Sequence, residues 1–265
     1  MVKNGSKIVF FISIILIISA CSDYQKLMKS QDYGEKYEMG VVYFNQGDYY
    51  RALELFETVL PFYRGSDKAE DLNYYYSYCY YHQKDYELAS HYFKRFAKNF
   101  PTSKYTEECQ FMSAYCKYLL SPSYSLDQTN TLDAINELQL FIDVYPRSER
   151  IAECNTLIDN LRGKLEKKAF EIASLYLKME NYNAAITAFN NVMKDFPGTD
   201  YKEEIMFNLA KAYYLYAENS IEEKKKERHQ SALEAYDAFV TAYPDSQYIK
   251  QVNNFSKNSR RQVKN

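Results

Sequence analysis

Along this chain, apolar positions recur in a stagger of four, three and four residues that ends on a proline. Ala89, Phe93, Phe96 and Phe100 precede Pro101, and Ala134, Leu138, Phe141 and Tyr145 precede Pro146. Ala185, Phe189, Val192 and Phe196 precede Pro197, and Ala232, Tyr236, Phe239 and Tyr243 precede Pro244. A further set, Ala52, Phe56, Val59 and Tyr63, has Arg64 in place of the proline. Such offsets fall on one face of an α-helix. Proline disfavours helical backbone in the residue before it, so each run predicts a helix that ends there. A small alanine at the head of each face permits a close helix crossing, and the larger side chains fill the space beyond it.

Each of these helices has a partner upstream. Gly47-Asp48-Tyr49, Lys84-Asp85-Tyr86 and Glu180-Asn181-Tyr182 occupy equivalent turns before Ala52, Ala89 and Ala185. Before those turns, 37–46, 74–83 and 170–179 are apolar at helical spacing. Gly40 and Tyr43 stand at fixed distances ahead of Ala52. Successive alanines are 37, 45, 51 and 47 residues apart, so the unit repeats with insertions. In the third copy the insertion runs from Ser121-Pro122-Ser123 to Thr131 and reads as a loop. In the fifth it runs from Glu218 to Gln230 and includes Glu222-Glu223-Lys224-Lys225-Lys226-Glu227-Arg228. That run reads as a solvated extension, or else as a loop on which a partner docks. The extra residues before the fourth copy, 151–168, are themselves helical in pattern and lengthen its first helix.

The N-terminus departs from this pattern. Lys3 and Lys7 precede an almost unbroken apolar run, Val9 to Ile18, and then Ile18-Ser19-Ala20-Cys21. The run is too short to cross a bilayer as an ordinary helix and is read as a targeting segment, set apart from the fold. It resembles a bacterial lipoprotein signal, whose cysteine becomes the acylated first residue; a simple secretory signal is the alternative. The resemblance implies removal of residues 1–20 and lipid attachment at Cys21. Ser22 rather than Asp at the next position implies the outer membrane, with the body in the periplasm. Each CH₂ of the lipid buried in the bilayer would contribute about 0.8 kcal/mol to anchoring.

Composition narrows the function further. Lys and Arg number 33 against 35 Asp and Glu, a net charge of -2. That balance argues against nucleic-acid binding, which calls for a basic face. Hydrophobic residues make up 46%, enough for a sizeable core, while a mean hydropathy of -0.54 excludes a multi-span membrane body. With 7 Gly, 6 Pro, 29 Tyr and 16 Phe, the chain reads as helical, with rings filling the contacts between helices. Cys79, Cys109, Cys116 and Cys154 form no small-domain disulfide framework and read as buried fillers, an inter-helix bridge remaining open. Cys109 and Cys116 are roughly 10 Å apart along one helix, too far to bridge. His82, His91 and His229 lack metal-ligand spacing. No phosphate loop, nucleophile elbow or zinc motif occurs, so the reading is a binding protein with no cofactor, no metal and no catalytic site.

Gly or small, Tyr, Ala, aromatic and Pro at these positions resemble the tetratricopeptide pattern over about residues 33–250, with the third and fifth copies departing at the turn. The resemblance implies an all-α, right-handed superhelical solenoid of five helix pairs, at about 33–66, 70–103, 107–148, 151–199 and 203–246. A lipidated linker would occupy 21–32 and a basic tail 251–265, with Lys257, Arg260, Arg261 and Lys264. A signal ending in cysteine, five repeats with lengthened later copies and a basic end resemble the BamD family of outer-membrane β-barrel assembly lipoproteins. That resemblance implies a scaffold whose N-terminal repeats recognise unfolded outer-membrane proteins. Its C-terminal repeats would dock the POTRA domain of the central barrel-assembly protein. A cell-envelope tetratricopeptide scaffold outside barrel assembly is the alternative. In such repeats the first helices line the groove, which places Tyr37, Val41, Phe44, Tyr74, Tyr78, Tyr81, Phe111, Tyr115 and Tyr118 in a peptide-binding groove. Asn45 and His82 fall on the same face. Lys178, Phe207, Lys211 and Tyr214 would serve partner docking. Several of these tyrosines are instead buried between helices on the plainer reading.

Overall fold

Where the sequence supplies a short polar side chain ahead of an apolar stagger, a helix begins. The computed structural model describes residues 23–264, so Cys21 and the apolar leader lie outside the described residues. Helical backbone at 23–29 (α1) is followed by α2 (Tyr33–Asn45), α3 (Tyr49–Val59), α4 (Ala69–His82), α5 (Tyr86–Asn99), α6 (Thr106–Leu120) and α7 (Thr129–Val144). Then come α8 (Ile151–Lys178), α9 (Tyr182–Asp195), α10 (Lys202–Glu218), α11 (Glu222–Ala242) and α12 (Ile249–Lys264). The described residues are all-α. They divide into two units, one up to Ser121 with Thr129–Ile158, the other Pro122–Gln128 with the chain from Asp159.

In the first unit, each helix packs on its neighbours in sequence from α2 to α7. The tight turns reverse the chain through left-handed backbone at Gly47 (φ 81°) and Lys84 (φ 63°). Asp48 and Asp85 then cap α3 and α5 by accepting from the backbone N–H of Arg51 and Leu88. Ala52, Ala89 and Ala134 are fully buried, as are Phe56, Phe93, Phe96, Leu138 and Phe141 in the same staggers. Gly40 permits a close crossing: a Cβ there would stand 2.6 Å from the Phe56 ring. The segment read as a linker is not a free spacer. Tyr24 and Leu27 of α1 pack on Leu55, Tyr24 Oη donates to Glu54 at 2.5 Å, and Lys36 Nζ donates to the Met28 carbonyl at 2.9 Å.

In the second unit, Glu180 (φ 58°) makes the equivalent turn and Asn181 caps α9 by accepting from Ala184. Phe170, Ala173, Ala185, Phe189, Val192 and Ile205 form one core, while Phe207, Ala210, Phe239 and Val252 form another. The solvated extension expected at 218–230 is helix and not a docking loop: only 219–221 separate α10 from α11, because Glu, Lys and Arg favour helix. Lys224–Glu227 (2.9 Å) and Lys225–Glu222 (3.0 Å) then pair one turn apart. Nor do residues 251–264 form a tail. They lie in α12, which buries Val252, Ser256 and Ser259 and keeps Lys257, Arg260, Arg261 and Lys264 exposed. The insertion at 121–128 is irregular as expected, held by Gln128 Nε2 donating to the Ser123 and Leu126 carbonyls at 2.9 and 3.0 Å.

All four body cysteines are free and buried. Burial raises their thiols, Cys79 and Cys116 to about 12 and Cys154 to about 11. No helix among the described residues is long and apolar enough to cross a membrane.

Candidate functional site

The residue that closes each proline turn determines which first-helix rings remain accessible. Four turns share the form Pro-x-Ser/Thr-x-Tyr/Arg: Pro101 to Tyr105, Pro146 to Arg150, Pro197 to Tyr201 and Pro244 to Tyr248. In each, the hydroxyl of Ser103, Ser148, Thr199 or Ser246 accepts from the backbone N–H two residues on, at 3.1 to 3.3 Å. The last residue of the turn then lies against the first helix of the preceding pair. Tyr105 stacks on Tyr74 with centroids 4.3 Å apart, Tyr201 on Phe170 at 4.6 Å and Tyr248 on Phe207 at 4.1 Å. Arg150 sits over Phe111 at 4.2 Å. The first copy uses Lys68 over Tyr37 at 4.5 Å. Lys68, Tyr105 and Tyr201 are the N-cap residues of α4, α6 and α10 and make no side-chain cap. Their side chains are committed to the clamp, which adds about 0.5–1.5 kcal/mol beyond area burial for each ring pair.

This clamp corrects part of the expected groove and docking set. Tyr37, Phe111 and Phe207 are 6, 2 and 7% exposed, so they pack between helices rather than face a ligand. Tyr74 is half-buried beneath Tyr105. Tyr214 stacks on Phe255 at 4.8 Å and its hydroxyl accepts from Asn258 at 3.2 Å. Lys178 is exposed and Lys211 half-buried.

What stays accessible in the first unit is a row of half-buried rings. Val41 and Phe44 of α2, Tyr78 and Tyr81 of α4, and Tyr115 and Tyr118 of α6 are all half-buried, with Asn45 and His82 exposed beside them. Phe44 meets Tyr75 at 4.9 Å, and Tyr49 stacks on His82 at 4.0 Å. Tyr78 meets Phe93 edge-on at 4.9 Å, and Tyr115 stacks on Tyr118 at 5.9 Å. Tyr78 is also the start of a charged chain. Its hydroxyl donates to Glu108 Oε1 at 2.7 Å, and Arg150 bridges Glu108 Oε2 at 2.6 Å and Glu153 at 3.2 Å. Burial, then the hydrogen bond to Glu108, pushes the Tyr78 phenol far above its ordinary value. The adjacent carboxylates outweigh burial and raise Arg150. Tyr78 therefore remains a neutral donor with its ring half-buried. The face offers half-buried aromatic rings, four of them carrying a hydroxyl group.

Tyr105, Glu108 and Arg150 were absent from the expected set. The signal for Tyr105 and Arg150 lies in the four-residue spacing after each proline, beyond the apolar stagger that defines the repeat; Glu108 falls outside that spacing. Among the described residues, no group of His, Cys, Asp and Glu is placed to hold a metal ion.

The family model described as "YfiO: Outer membrane lipoprotein" matches residues 29–228. Outer membrane protein assembly factor BamD of Rickettsia prowazekii (strain Madrid E) is 26% identical over 98 residues, 37% of this chain and 39% of that protein. The match thus spans about two fifths of that relative's length. Among solved structures, a TPR repeats protein of Bacteroides fragilis NCTC 9343 is 15% identical, with 88% of this chain and 100% of that one covered at a TM-score of 0.42. The TPR2AB domain of yeast Sti1, in its pHSP90 complex, is 13% identical, with 86% and 98% covered at 0.42.

Proposed function

Since the chain belongs to the YfiO family of outer membrane lipoproteins, we propose that it is a lipid-anchored scaffold of outer-membrane β-barrel assembly. The observation that carries this reading is the family match across 29–228, the greater part of both helical units. In this reading, acylation of Cys21 holds the protein on the periplasmic side of the outer membrane.

The half-buried ring row of the first unit is the proposed site for unfolded barrel substrates. Ring edges from Phe44, Tyr78, Tyr81, Tyr115 and Tyr118 supply apolar area with little rotamer entropy to lose. An extended segment rich in aromatic residues is the ligand such a surface suits. The second unit, through Lys178 and Lys211, is proposed to dock the POTRA domain of the central assembly protein. Two surfaces on one chain of neighbour-coupled helices can carry separate partners.

The test is purification of tagged protein from envelopes, with and without Cys21→Ala. Recovery of a POTRA-bearing barrel protein supports the reading. Recovery of division or wall-synthesis proteins without it would place the chain in another envelope scaffold. A Cys21→Ala protein that still fractionates with outer membranes, with no partner holding it there, would remove the lipid anchor from the account.

A further inference from the structure

The first unit has a second concavity, on the side of α4 turned away from the ring row. Tyr76 lines it, and Tyr76 stands two residues from both Tyr74 and Tyr78, about 200° around the helix. The cavity measures about 440 Å³ and lies among the end of α3, the turn after it, the first half of α4 and the last half of α5. That volume suits one or two side chains or a small ligand.

Its walls carry an unbalanced charge. Arg64 and Arg95 both line it, and neither forms an ion pair among the described residues. The Arg95 guanidinium lies 5.6 Å from the Tyr92 ring centre. The acid on the wall is Glu57, and its Oε1 is already taken: Tyr76 and Tyr80 both donate to it at 3.2 Å. Leu60 and Tyr92 supply apolar wall beside the two cations. A guanidinium presents a planar fork of donors that matches a carboxylate. Two forks next to an apolar wall define an acidic, partly apolar ligand.

We propose that this cavity is a second binding site, taking a peptide segment in which a carboxylate adjoins an aromatic or aliphatic side chain. The carboxylate sits between Arg64 and Arg95, and the apolar side chain lies against Leu60 and Tyr92. The site stands on the cavity alone. It holds or fails independently of the role in barrel assembly.

The experiment uses the full chain without its leader and three dye-labelled octapeptides, read by fluorescence anisotropy. One is end-capped with a glutamate between two phenylalanines. One replaces that glutamate with glutamine, and one carries the glutamine but a free C-terminal carboxylate. At least one acidic peptide should bind tenfold or more tightly than the neutral one, and which does so identifies the carboxylate as side chain or terminus. The preference should weaken with added salt, disappear in R64Q/R95Q and survive in part in R95K. Both arginines are exposed, so the variants should keep the wild-type circular dichroism and Tm. Equal binding of all three peptides, or an unchanged preference in a folded R64Q/R95Q protein, overturns the site.

Discussion

Tyr78→Phe separates what the Tyr78 hydroxyl does for the fold from what its ring does for a ligand. The substitution keeps the edge-on contact with Phe93 at 4.9 Å and removes the 2.7 Å bond to Glu108 Oε1. A hydrogen bond to a charged group contributes about 1.5–3 kcal/mol net when shielded. Here the Glu108 side chain is 30% exposed, so water can take the vacated position and Arg150 still holds Oε2. The expected cost is therefore about 1 kcal/mol, at the low end, equivalent to about 2–4 °C in Tm. Denaturant unfolding followed by circular dichroism measures the global figure. Hydrogen exchange locates it: amides of α4 and α6 should lose protection while those of α9 to α11 keep theirs, because such helices couple to neighbours. Peptide affinity in Tyr78→Phe should stay within twofold of wild type, whereas Tyr78→Ala should lose about 1–2 kcal/mol of binding. Unchanged stability in Tyr78→Phe would show that the Glu108 bond contributes nothing. Equal loss of peptide by the Phe and Ala variants would make the hydroxyl, not the ring, the ligand contact.

Gly40→Ala drives a Cβ to 2.6 Å from the buried Phe56 ring and should cost about 1–3 kcal/mol in thermal or urea unfolding; a neutral result would mean that α2 and α3 can separate freely. At the second turn, Lys84→Gly relieves left-handed backbone at φ 63° and should stabilise by about 1 kcal/mol. Asp85→Ala removes the cap to Leu88 and should destabilise by about 1 kcal/mol in the same assay. The four body thiols, buried and with raised pKa values, should resist alkylation in the native protein and react together on unfolding. His229 is fully buried and held below its ordinary pKa of 6.5 by burial, so the unfolded chain binds the proton more readily. Stability should fall as pH drops below about 6.5, by at most about 1.4 kcal/mol per pH unit from this group. His229→Gln should flatten that part of the profile.

How far the sequence could be read follows from which interactions are local. The staggers headed by Ala52, Ala89, Ala134, Ala185 and Ala232 encode burial through helical periodicity, and all five alanines lie in the cores. The turns at Asp48, Asp85 and Asn181 were legible for the same reason, since cap, turn and helix start sit within four residues. Charge alone told where the chain is solvated and not that it is helical. The Glu-Lys-Arg run before Ala232 is largely exposed, yet it is helix, with Lys225 and Arg228 half-buried and His229 fully buried. The segment after Gln251 is helix as well, exposing Lys257, Arg260, Arg261 and Lys264 while Val252 and Ser259 are buried.

The candidate site was legible in its residue types and not in their orientation. Tyr74 and Tyr78 are four residues apart on one helix face, and local pattern treats them alike. They diverge because Tyr105 covers Tyr74 and Glu108 holds the hydroxyl of Tyr78, both partners being about 30 residues further along. The same distant step separates Phe111 under Arg150 from Tyr115, which stacks on Tyr118 within α6. Each proline turn thus sends one side chain back to cover one ring of the preceding pair, and the half-buried rings it does not cover, such as Tyr78 and Tyr81, are those proposed to meet a ligand. Reading which rings are accessible therefore depends on the residue four past each proline as much as on the rings themselves.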